Sequence, residues 1–240
     1  TSRPEGPALF MDVPITAHPP NALGADLYWW RTADGMRTLV TGFWSAEQLF
    51  DDAVHIQARL FDHDGVLIGG WTVPLAGGMP FYVDSAEHAV HGFSGDHDGV
   101  LALFLCTETE PSLQARTHYR RLYAFVDWRF PDGRTMTLHS DQVGMPGTAW
   151  TREFTEIVAM EAADESNALV VLNGQDAQSA GALQWTCRND RGEERHAVYA
   201  PAMPPFSVHR MPLQDLFGET RTFSGGKPLE DKSVKQAIEE

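Results

Sequence analysis

The sequence predicts an all-β protein: an antiparallel β-sandwich of two sandwich lobes related by internal duplication, with little helix. Three observations carry this expectation. Apolar residues recur with period two, glycine turns separate strand-like runs, and one strand–turn–strand–proline pattern occurs twice.

In chain order, 1–7 and His18-Pro19-Pro20-Asn21 read as irregular or polyproline-like. Leu39-Val40-Thr41-Gly42-Phe43-Trp44 is short, apolar and partly β-branched. Val54-His55-Ile56-Gln57-Ala58-Arg59-Leu60 alternates apolar and polar residues, which buries one face and wets the other. Asp34-Gly35, Asp64-Gly65, Asp132-Gly133 and Arg191-Gly192 read as hairpin-like turns, where glycine supplies the positive φ. The clearest hairpin joins Leu122–Phe130 to Arg134–His139 through Pro131-Asp132-Gly133. Helix signals are sparse: Ser45–Phe50 offers one turn, Met160–Glu165 a weak candidate, and Asp231–Glu240 a composition with only two apolar anchors.

The repeat is read from spacing. Pro74 lies nine residues after Gly65 and precedes Phe81-Tyr82-Val83; Pro201 lies nine residues after Gly192 and precedes Phe206-Ser207-Val208. Each unit is preceded by a short apolar strand, Leu39–Phe43 in one and Ala168–Leu172 in the other. Proline cannot donate to a ladder, so it marks where a chain leaves a sheet. The expected division is an N-terminal β-sandwich lobe at 1–90, middle strands and loops at 91–150 with an inter-lobe cleft, a C-terminal β lobe at 151–223, and an exposed tail at 224–240.

Composition narrows function. The chain has 42% apolar residues, enough for a core, and a net charge of −15, which disfavours a reader of the nucleic-acid backbone. No apolar run reaches the ~20 residues that span a bilayer as a helix. Cys106 and Cys187 sit in apolar runs, as buried free thiols or as one disulfide.

Several constellations bear chemistry. His88, His91, Asp96 and His97 bring imidazole and carboxylate donors together in a glycine-containing segment, which suits a divalent metal. Asp96-x-Asp98-Gly99 also has the opening of a calcium loop, without its later acidic ligand. His139-Ser140-Asp141 reads as a turn after a strand, because catalytic triads assemble in space and not by adjacency. Glu108 and Glu110 would share a strand face. Aromatic residues are a further candidate: Tyr28, Trp29, Trp30, Phe43 and Trp44 early, then Trp71, Phe81, Tyr82, Trp128, Trp150 and Trp185. An exposed aromatic platform stacks sugar rings or other flat ligands, and adjacent Trp29 and Trp30 on a strand must point to opposite faces. Arg116, His118 and Arg120 offer a grip for a carboxylate or phosphate.

Together these features predict a non-catalytic β-sandwich protein that binds a small ligand, a glycan or a protein partner, with Tyr28, Trp29, Trp30, Trp44, Arg116, His118 and Arg120 as ligand-binding candidates. The alternative is an enzyme of unknown reaction with a metal-assisted site between the lobes.

Overall fold

A computed structural model describes residues 16–32, 35–43, 54–75, 79–84, 97–110, 122–139, 142–143, 168–181, 183–188, 191–217 and 230–231. In the first half the strands are β1 (Ala22–Arg31), β2 (Arg37–Phe43), β3 (Val54–Asp62), β4 (Leu67–Pro74), β5 (Pro80–Asp84), β6 (Asp98–Thr107), β7 (Tyr123–Arg129), β8 (Thr135–His139) and β9 (Gln142–Val143). Then follow β10 (Ala168–Leu172), β11 (Leu183–Arg188), β12 (Glu194–Tyr199), β13 (Val208–Pro212), the one-turn helix α1 (Leu213–Phe217) and β14 (Glu230–Asp231). The all-β class is as expected, and every strand pair among the described residues is antiparallel.

The strands form a five-stranded sheet β4-β3-β6-β1-β9, a four-stranded sheet β5-β2-β7-β8, a three-stranded sheet β12-β11-β14 and the pair β10-β13. Strands from the 1–90 and 91–150 stretches therefore share both larger sheets. The turns at Gly65, Gly133 and Gly192 close hairpins, and all three glycines have positive φ. Gly35 also has positive φ, but its turn is not a hairpin: β1 belongs to the five-stranded sheet and β2 to the four-stranded one. At the base of this connection the Thr38 hydroxyl accepts from the Arg31 amide at 3.0 Å.

The spacing repeat has a counterpart in wiring. β2 pairs with β5 across the excursion β3–β4, and β10 pairs with β13 across the excursion β11–β12. The second unit departs from the expected aromatic-led strand, because Phe206 lies in a turn and the strand begins at Val208. Nor is 224–240 wholly a free tail: Glu230 and Asp231 pair with Arg188 and Cys187 at the edge of β11.

Alternation along the strands sorts the apolar residues into three clusters. Tyr28, Trp30, Ile56, Leu60, Leu101 and Leu103 of the five-stranded sheet meet Val40, Val83, Val126 and Trp128 of the four-stranded sheet. The opposite face of β1, β3 and β6 presents Leu27, Phe61, Ala102 and Phe104 to Phe206, Val208, Val170 and Leu172. The next cluster joins Leu169 and Met211 to Leu183 and Trp185. β1 and β6 are thus covered on both sides, which explains why Val100–Cys106 is a continuous apolar run instead of an alternating one.

The contact between β3–β4 and the segment before β13 is close. A Cβ on Gly65 would lie 2.1 Å from the Pro205 carbonyl oxygen, and the Val208 amide donates to the His63 carbonyl at 3.0 Å. Gly192 has nearly the same φ, +80° against +82°, but nothing within 4 Å of an added Cβ. Gly192→Ala should cost about 1–2 kcal/mol, the backbone term alone. Gly65→Ala should cost roughly 3 kcal/mol or more, since packing must also shift. Urea denaturation of the two variants measures the difference, and equal losses would contradict this packing.

Candidate functional site

Two places gather side chains that bear chemistry. The first is the outer face of β5-β2-β7-β8. Phe81 and Val83, Ala124 and Val126, and Val40 point into the core, so the alternate residues point outward. Register places Tyr82, Thr41 and Phe125 in one cross-strand row, and Pro80 beside Phe43 in the next. The rings are open to solvent: Phe43 is 44%, Tyr82 62% and Phe125 46% exposed. Farther along lie Asp84, Leu39, Asp127 and Thr137, then Arg37, Arg129 and Thr135. The charges there are matched. Arg37 forks onto Asp84, Arg129 approaches Asp127 at 3.8 Å, and the Thr137 hydroxyl donates to Asp127 at 2.6 Å.

The second place lies where the His63-Asp64 turn meets β13. The Tyr199 hydroxyl is 2.6 Å from His209 Nδ1, and Ser207 Oγ is 3.1 Å from His209 Nε2. Ser207 also donates to the Pro204 carbonyl at 2.7 Å and is fully buried. That shorter bond commits the serine proton, so the consistent arrangement has Nε2–H donating to Ser207 and Nδ1 accepting from Tyr199. The line holds a neutral imidazole and presents no activated serine. The backbone here is pinned by Asn173, whose buried amide lies within hydrogen-bonding distance of the Asp176, Met203 and Pro204 carbonyls. Phe206 takes φ 54° and stacks on Phe61 with centroids 4.4 Å apart. Positive φ costs a non-glycine residue about 1–3 kcal/mol. Burying the ring returns about 2–3 kcal/mol and stacking about 1 more, so the strained conformation is held.

Burial lowers the pKa of His209, with Asp64 opposing and His63 assisting. Burial likewise lowers His55, against Glu108, and raises the Tyr199 phenol. Cys106 carries a free buried thiol, pushed up to about 12 by burial despite the Gln57 amide and the Arg59 guanidinium. The alternative of a Cys106–Cys187 bridge is therefore not what forms. Arg59 is itself buried. It donates to the carbonyls of Thr16 and Ala58 at 2.9 Å each and to the Gln57 side chain at 3.1 Å, and burial lowers its pKa.

The residues singled out from sequence distribute unevenly. Trp30 lies in the core between the two larger sheets, whereas Trp29 packs against both that core and the cluster on the opposite face, its ring 5.9 Å from Trp128. Tyr28 and Trp30, expected at a ligand seat, are fully buried core side chains, and the Trp30 indole donates to the Phe61 carbonyl at 2.8 Å. Trp29 is half-buried; its indole donates to Asp98 at 3.2 Å, and the Arg31 guanidinium lies over its ring. Asp98 and Gly99 open β6, so they are strand residues and not the start of a calcium loop. Glu108 and Glu110 fall beyond the end of β6 instead of sharing its face. Trp44, His88, His91, Asp96, Arg116, His118 and Arg120 lie outside the described residues, as do Ser140 and Asp141. His97 is described: its carbonyl accepts from the Thr32 amide at 2.8 Å, and its amide donates to the Thr32 hydroxyl at 3.2 Å. Among the described residues, no three His, Cys, Asp or Glu side chains are grouped to hold a metal ion. Phe125 and the Tyr199–His209–Ser207 line escaped sequence reading. Phe125 sits in an all-apolar run where phase is hidden, and the polar line joins residues from separate strands. In comparisons with known proteins, the chain matches no family model, no curated protein and no solved structure.

Two outcomes follow from the buried groups. A histidine whose pKa is lowered on folding binds protons more readily when unfolded. Stability is then complete above about pH 6.5, the unfolded value, and falls as pH drops toward the lower folded value. Chemical denaturation between pH 8 and pH 5 should show that loss, and His209→Gln should reduce it. In a Cys187→Ser variant, Cys106 should resist a thiol reagent at pH 8 until denaturant unfolds the chain; immediate labelling of the native protein would contradict its burial.

Proposed function

We propose that this chain is a non-catalytic β protein that binds its ligand on the outer face of the β5-β2-β7-β8 sheet. One observation carries the reading: Phe43, Tyr82 and Phe125 stand exposed on the same face, on strands whose alternate residues fill the core. Exposed rings gathered on one surface are what binding faces use, since each offers a large contact area with little rotamer entropy to lose. The common wiring of β2–β5 and β10–β13 supports an internal duplication, and two of the three rings, Phe43 and Tyr82, lie in the first copy, whereas Phe125 comes from the middle strand β7.

A second reading is an enzyme with its site where the His63-Asp64 turn meets β13, and the Tyr199–His209–Ser207 line favours it. Against it stands the buried serine, whose proton is already committed. The set His88, His91, Asp96 and His97 belongs to this reading as the holder of a divalent metal. Stoichiometric metal in the purified chain, lost in a His88→Ala/His91→Ala variant, would support it.

A thermal-shift panel of glycans, metabolites and peptides tests the first reading. A stabilising compound should lose its effect in Phe43→Ala/Tyr82→Ala/Phe125→Ala. The unliganded variant should lose about 2–4 kcal/mol and remain folded, because each ring is roughly half exposed. A stabiliser that acts equally on the variant would place the seat elsewhere.

A further inference from the structure

Resting on the reading of this face as the ligand seat, we infer that its ligand is an uncharged chain of sugar rings laid across the strands, along the Tyr82–Thr41–Phe125 row. The spacing comes from the register. Tyr82 and Phe125 both pair with Thr41, so they stand two strand spacings apart, about 10 Å. The smaller Thr41 stands between the two rings in this row. A compact metabolite is normally held in a concave pocket that buries most of its surface. An extended ligand with flat apolar faces and polar edges suits separate rings on an open sheet.

Charge selects among extended ligands. The chain carries −15, which opposes uronic-acid, sulfated and phosphorylated polymers. The cations beside the rings are not left to attract an anion, for Arg37 is paired with Asp84 and Arg129 with Asp127. These pairs, with Thr41, Thr135 and Thr137, edge the platform with groups that donate to and accept from hydroxyls without a net charge. A neutral polyhydroxylated chain matches that edge: its C–H faces lie on the rings and its hydroxyls reach the rim.

The test uses the full 240-residue chain. Linear neutral oligosaccharides of glucose, mannose, xylose, galactose and N-acetylglucosamine, from disaccharide to hexasaccharide, are titrated by calorimetry beside uronic-acid and sulfated counterparts. At least one neutral series should bind, tightening with length until a chain reaches both rings and then levelling, with little response to added salt. Tyr82→Ala and Phe125→Ala should each weaken it by about three- to tenfold. Binding by none of the neutral series, or only by charged chains, overturns the inference. If a peptide or metabolite still stabilises the parent and not the triple variant, the ligand class is wrong and the seat stands. A concentration-dependent dimer in sedimentation velocity that Tyr82→Ala abolishes assigns the face to a second copy, and both readings fall.

Discussion

The stacking of Phe206 on Phe61 is the contact on which the layering depends. Phe61 ends the outward-facing set of β3, and Phe206 reaches it only because the chain before β13 accepts a left-handed conformation at a bulky residue. Phe104 of β6 meets the same ring edge-on at 6.0 Å, so one side chain ties the central strands of the five-stranded sheet to the β10–β13 pair. Asn173 fixes the segment from one side, and the absent side chain of Gly65 makes room on the other. The Ser207 and His209 positions are consequences of the same turn. They bring polar groups into a layer where each must find a partner, and the Pro204 carbonyl and Tyr199 hydroxyl supply them.

Covering both faces of β1 and β6 limits where function can reside. A sheet buried on two sides has only its edges and connections to offer. The four-stranded sheet is different: its inner face fills the core and its outer face is left to solvent. Its strands carry aromatic rings in the outward phase, where threonines and charged residues occupy the neighbouring rows. Packing does not require rings in that phase, because Val40, Phe81, Val83, Ala124 and Val126 already fill the inner side. The half-buried polar line at His209 has a structural account of its own, since it joins β12 and β13 to the serine whose proton is held by the turn before β13.

Much of the fold was legible from local chemistry. The turn glycines at 35, 65, 133 and 192 all adopt the positive φ that their neighbours implied, and the alternation in Val54–Leu60 matches a strand with Ile56, Ala58 and Leu60 inward. The spacing of Pro74 and Pro201 after their turns marked where two hairpins end. Less of the site could be read. Tyr28 and Trp30 looked like a platform because an aromatic cluster says nothing about which side of a sheet will be covered. Phe125 was hidden because Tyr123-Ala124-Phe125-Val126 is apolar in both phases, and only pairing with Thr41 assigns its face.

The antiparallel class, most strands and the positive-φ turn glycines were written in local sequence, because they follow from side-chain period and from backbone freedom at single residues. Tertiary structure alone decided which turn links two sheets, which strands are covered twice, and which aromatic rings stay in water. Those outcomes depend on pairings between residues far apart in the chain, such as Thr41 with Phe125 and Phe61 with Phe206, and no local pattern encodes a partner.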